Sequence, residues 1–161
     1  MKKQKILRIL SLAMLTVLLT GALAGCGEQE PKEELSAGQI AEKLAVLAEA
    51  QGLESAADYA DVFYGQADFD KVEEFEVLSP MMNVKASEIA VFRAKDESDA
   101  PALQLALEQR AQDVQTSFEF YLEDQYEIAQ NAIVRRKGAF VCLVIDENAS
   151  EIAEEFEKLV E

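Results

Sequence analysis

The chain of 161 residues contains no histidine and no tryptophan. Without an imidazole it lacks the commonest general base, and neither a Ser-His-Asp nor a Cys-His arrangement can be built. The usual nitrogen ligand of zinc is missing as well. A Ser-Lys hydrolase survives that exclusion in principle, yet no serine is followed by lysine three residues later. The seven glycines form neither the phosphate-cradling loop that ends in Lys-Ser or Lys-Thr nor a dinucleotide fingerprint. The missing indole also counts against a sugar-stacking groove. Nucleophilic catalysis therefore has almost nothing to work with. Paired carboxylates are the enzymatic alternative, because a glycosidase needs two of them flanking one bond. With 31 Asp and Glu in the chain, any chosen pair is uninformative.

Basic charge is scarce too. Fifteen Lys and Arg stand against 31 acids, for a net charge of −16. A surface that acidic repels phosphate backbones, which excludes nucleic acid as a partner. It also repels anionic lipid headgroups. It suits basic partners or loosely held divalent cations, or serves solubility alone.

There are only two cysteines. Cys142 lies in the apolar run AFVCLVID and reads as a small core hydrophobe rather than a nucleophile. Cys26 ends a different kind of segment. MKKQKILR carries Lys2, Lys3, Lys5 and Arg8 without an acid, and Ile9 to Leu19 is apolar apart from Ser11 and Thr16. Small residues follow, which completes the layout of a secretory signal peptide. The apolar run is too short for a spanning helix of about 20 residues. Leu23-Ala24-Gly25-Cys26 resembles the lipobox of bacterial lipoproteins. That resemblance implies a diacylglyceryl group on the Cys26 thiol and cleavage just before it. Residues 1–25 then form the signal peptide and 26–35 an acidic tether, GEQEPKEEL after the cysteine. Residues 36–161 form one folded domain. Losing the four leader cations takes the net charge from −16 to −20.

Within the domain, Ser36 and Gln39 fit a capping box ahead of a helix bearing Ile40, Leu44 and Leu47, which Gly52 is placed to end. Leu53 to Lys71 reads as a partly helical loop. VEEFEVLS and EIAVFRAK read as two strands pairing in a hairpin, with Phe75 and Val77 on one face of the first. Asp96 or Ser98 is placed to cap a long helix, with Pro101 in its first turn. Leu103, Leu107, Val114, Phe118 and Tyr121 or Leu122 mark its buried stripe. AIVRRKGAFVCLVID reads as a hairpin turning at Lys137-Gly138, its second strand apolar throughout and so covered on both sides. Asn148 and Glu151 fit a second capping box before a helix buried through Ile152, Phe156 and Leu159. The order α-β-β-α-β-β-α predicts an α+β domain around a single antiparallel sheet of about four strands.

SEIAVFRAKDESDAPALQLALEQRAQD and SFEFYLEDQYEIAQNAIVRRKGAFVCLVID together resemble a family of small lipoproteins of Gram-positive bacteria, catalogued as a domain of unknown function. The resemblance runs from about Ser36 to Glu161. It implies a lipidated single domain and supplies no catalytic residue.

Three groups of residues have chemistry worth weighing. Asp58, Asp61, Asp68 and Asp70 offer the oxygens that calcium favours, but Lys71 follows and the Gly and distal Glu of a 12-residue calcium loop are missing; a solvated loop is the plainer reading. Met81 and Met82 beside Pro80 suit a soft contact patch, with turn or core packing as the plainer reading. Tyr59, Phe63 and Tyr64 face the same choice, and their near-helical spacing favours packing. The sequence is thus read as a lipid-anchored module on the extracytoplasmic face of the cell membrane. It is expected to bind a protein or small ligand without catalysing a reaction or holding a cofactor or metal. An envelope enzyme using carboxylates is the alternative.

Overall fold

A computed structural model describes residues 34–160, so Cys26, the leader and most of the tether lie outside the described residues. Glu34 to Glu161 forms one compact unit. Helix α1 (Ala37–Ala45) starts on the expected capping box. The Ser36 hydroxyl accepts the Gln39 N–H at 3.2 Å, and the Gln39 side chain accepts the Ser36 N–H at 2.9 Å. The helix ends seven residues before Gly52. The physical reason is Asp146, a buried carboxylate that accepts the Glu49 and Ala50 N–H groups at 3.0 and 3.2 Å. The Glu49 N–H would otherwise continue the helical ladder. Gly52 has φ 75° and instead turns the chain into strand β1 (Leu53–Ser55).

A short helix α2 (Ala60–Phe63) follows, then strands β2 (Val72–Pro80) and β3 (Glu88–Ala94). Helices α3 (Ala100–Phe118) and α4 (Glu123–Gln130) lead to the hairpin β4 (Ile133–Lys137) and β5 (Phe140–Ile145), and α5 (Ala149–Leu159) closes the domain. The strands form one antiparallel sheet in the order β1-β2-β3-β5-β4. The α+β class holds, with five strands rather than about four. The extra strand is the three-residue β1, too short to show any alternation.

Helices cover both faces of the sheet. On one face Ala90, Phe92, Val141, Leu143 and Ile145 pack against Leu103, Leu107 and Val114 of α3. On the other, Ile89, Val91, Cys142 and Val144 pack against Ile40 and Leu44 of α1 and Ile152 and Phe156 of α5. β3 and β5 lie inside the sheet between these layers, which is why both read as apolar without alternation. Cys142 is a free, buried thiol, and burial pushes its pKa up. It sits in the core as expected.

Two helix starts differ from expectation. Asp96 caps a single 3-10 turn (Glu97–Asp99) by accepting the Ser98 N–H, and α3 begins after it with Pro101 in the first turn. Asn148 makes no capping bond to α5; its side chain donates to the Leu47 carbonyl at 3.1 Å and ties the α1 exit to α5. At the end of α3, Leu122 packs inward and Tyr121 is exposed. No helix among the described residues is long and apolar enough to cross a membrane.

Candidate functional site

Glu88 opens β3. Strand alternation puts it on the same face as Ala90 and Phe92, under α3, and its exposure is 1%. An ionised carboxylate there costs several kcal/mol unless it is paired. Arg110 supplies the pair. It stands three residues after Leu107 and four before Val114, within the buried stripe of α3. Its Nε donates to the Glu88 Oε1 and Oε2 at 3.1 and 3.2 Å, and its Nη2 donates to Oε2 at 2.5 Å. The Tyr64 hydroxyl donates to Oε1 at 2.5 Å. The Phe63 ring lies beneath the guanidinium, 4.3 Å from Cζ to centroid, a cation–π geometry.

The electrostatics follow from this packing. Burial and the adjacent Glu88 carboxylate push the Tyr64 phenol well above its ordinary 10.0. Burial works to lower the pKa of Arg110, but the hydrogen bonds and charge of Glu88 outweigh it, so the guanidinium is held more firmly protonated. Tyr64 then predicts an alkaline weakness. Above pH 10 the unfolded phenol loses its proton while the folded one keeps it, so stability is intact below the unfolded pKa and falls as pH rises. The slope is about 1.4 kcal/mol per pH unit. Urea melts between pH 9 and 11 should show this slope in the wild type and its reduction in Tyr64→Phe. Parallel curves for the two proteins would contradict it.

Of the triad Glu88, Arg110 and Tyr64, the first two line a cleft of about 680 Å³, and Tyr64 holds Glu88 from outside that lining. The cleft opens between β1, the Pro80–Ser87 loop, and the C-terminal half of α3. Tyr59, Phe63, Met81, Met82, Phe118 and Tyr121 supply its apolar walls. Four of these are largely exposed: Tyr59 62%, Met81 77%, Met82 66% and Tyr121 65%. The packing expected for Met81, Met82 and Tyr59 is therefore corrected. Both methionines lie in the loop after β2 and belong to neither core cluster. Tyr64 does pack, at 1% exposure against Phe92.

The acidic groups weighed from sequence do not converge. Among the described residues no three His, Cys, Asp or Glu side chains are grouped to hold a metal ion. Asp68 accepts the Asp70 N–H and caps a 3-10 turn at Phe69–Lys71. Asp99 pairs with Lys71 at 2.9 Å, and Glu73 and Glu74 flank Arg93 at 3.0 and 3.7 Å. Glu76 accepts the Ser55 hydroxyl. Hydrogen bonds involving Ser98 and Gln125 draw the pKa values of Asp96 and Asp124 downward. That direction is opposite to a general acid's need. Tyr64 is weighed from sequence only as a packing aromatic, and Glu88 and Arg110 are not singled out there. Two signals pointed to them, namely a carboxylate heading an apolar strand and an arginine inside an apolar helical stripe.

The model of a family described as a domain of unknown function, DUF4358, matches residues 61–146, a little over half of the chain. The chain belongs to this family. The resemblance to a family of unknown function is thereby borne out. No curated protein and no solved structure matches. The DUF4358 span runs from α2 to the residue after β5. It contains Phe63, Tyr64, Glu88 and Arg110 and the loop with Met81 and Met82, while α1, β1 and α5 lie beyond it.

Proposed function

We propose that this DUF4358 chain is a lipid-anchored extracytoplasmic module that captures a partner in the cleft above Glu88 and Arg110. One observation carries the reading. Four large apolar side chains stand exposed around a single cavity of about 680 Å³, within the range typical of ligand sites. Exposed apolar surface gathered in one place marks an interaction site. The buried carboxylate of the cleft is committed to Arg110 and Tyr64, which favours binding over catalysis.

The anchor rests on Leu23-Ala24-Gly25-Cys26 and the leader before it. Each buried acyl methylene contributes about 0.8 kcal/mol, and two chains hold a protein stably where one does not. Cys26→Ser should therefore move the protein from the membrane pellet to the soluble fraction, read by fractionation and blotting. A variant that still pellets removes the anchor from the proposal. The cleft is tested separately. A photoreactive residue in place of Met82, in the full lipidated protein on living cells, should give a discrete adduct. The same group at Glu154, exposed on α5, should not. Equal adducts from both positions, or none from Met82, would sink the docking reading.

A further inference from the structure

We propose that the occupant of the cleft is a basic amphipathic polypeptide segment of a partner protein. This rests on the docking reading above and names the chemistry of what docks. Apolar anchoring is the first half of the argument. Tyr59, Met81, Met82 and Tyr121 make up half of the eight large apolar side chains exposed among the described residues, and Phe120, next to Tyr121, is 95% exposed. Methionine adapts its shape to varied apolar partners, while tyrosine and phenylalanine give rigid contact area. A cavity of this composition accepts side chains spaced along one face of an amphipathic segment.

Charge is the second half. The two stretches that carry the aromatic walls, Leu53–Tyr64 and Ser117–Asp124, contain Glu54, Asp58, Asp61, Glu119, Glu123 and Asp124. They contain no Lys or Arg. Within the lining, Arg110 is cancelled by Glu88 and Lys85 is matched in number by Glu54, so the acidic excess comes from the other five acids of the two flanking stretches. The basic run Arg135–Lys137 stands away from the acids that flank β1, because β4 and β1 are the opposite edges of the sheet. Acidic surroundings steer cationic partners in and turn anionic ones away. They also oppose docking on an anionic bilayer. Arg110 adds a polar contact: its Nη1 makes no hydrogen bond among the described residues. With its charge already cancelled, that group suits a neutral backbone carbonyl better than a free anion.

The experiment uses the full lipidated protein in phosphatidylcholine nanodiscs and two labelled peptides, read by fluorescence anisotropy against empty nanodiscs. One peptide places leucine and lysine at helical spacing; the other replaces each lysine with glutamate. The lysine peptide should bind, more weakly as salt rises, and the glutamate peptide should not. The pair Met81→Glu with Met82→Glu should weaken binding about tenfold or more, although it adds acid. Purely electrostatic attachment would instead be strengthened by that change, and this outcome overturns the inference. Asp58→Asn with Asp61→Asn should weaken binding and flatten its salt dependence, while Glu154→Gln on α5 should change neither. A glutamate peptide bound as tightly as the lysine one, and lost with the methionines, overturns the stated chemistry but leaves the docking reading intact. Binding of neither peptide overturns the inference. So does an adduct between Met82 and lipid in the cellular experiment, because the occupant is then the bilayer.

Discussion

Arg110→Ala is expected to destabilise the domain by about 3–5 kcal/mol, because it leaves Glu88 buried without its counter-charge. That is a large share of the roughly 5–15 kcal/mol by which domains are stable. The loss has two parts. The guanidinium gives three hydrogen bonds to the carboxylate, and it covers the Phe63 ring. A urea titration followed by circular dichroism reads the change as a lower midpoint with an unaltered slope. The paired variant Glu88→Leu with Arg110→Met should recover most of the loss, since a buried ion pair replaced by apolar groups of similar size is often neutral or stabilising. A single variant costing under about 1 kcal/mol, the worth of an exposed pair, would mean that the ion pair is not buried in solution. The paired variant also separates stability from function. If it folds yet no longer binds the lysine peptide, Arg110 contributes a contact in the cleft and not only a support beneath it.

How far this domain could be read from its residues depends on what each residue interacts with. Local signals were legible. The Ser36–Gln39 capping box, the turn at Gly138 and the apolar face of α5 each depend on neighbours within four residues, and each formed where the spacing placed it. β5 was legible as a central strand because its apolar run lacks alternation. The misreadings came from long-range partners. Asp146 ends α1 from 96 or 97 residues away, and Asn148 spends its amide on Leu47 rather than on its own helix. β1 exists because Leu53, Glu54 and Ser55 find Pro80, Ser79 and Leu78 across the sheet, and nothing within three residues announces that pairing. The cleft was hidden for the same reason. Glu88, Arg110 and Tyr64 come from a strand, a helix and the turn after α2, and charge patterning along any one of them gives no hint that they meet. Met81 and Met82 show the converse. They are apolar by composition and yet exposed, and only the position of their loop outside both core clusters decides between core and contact surface.

The second large effect is expected at Phe92, which couples the sheet to the triad. Its ring is fully buried and lies 5.0 Å from Tyr64, 5.2 Å from Phe75 and 6.2 Å from Phe69 between centroids. Phe92→Ala removes the one member that touches the other three, at an expected cost of about 3–5 kcal/mol for transfer and cavity together. Phe120→Ala deletes the same atoms from a ring that is 95% exposed and should stay within about 0.5 kcal/mol of wild type. The contrast holds the chemistry constant and varies only burial, so thermal melts of the two variants side by side test the packing directly. Equal shifts would mean that the aromatic cluster is not packed as described. The Phe92 variant carries a further consequence. Tyr64 rests on the Phe92 ring while donating to Glu88, so a cavity there loosens the hydroxyl's hold on the carboxylate. The alkaline loss of stability assigned to Tyr64 should then be shallower in Phe92→Ala than in the wild type. A slope that did not change would separate the phenol from the aromatic cluster and leave the Glu88 bond as its sole anchor.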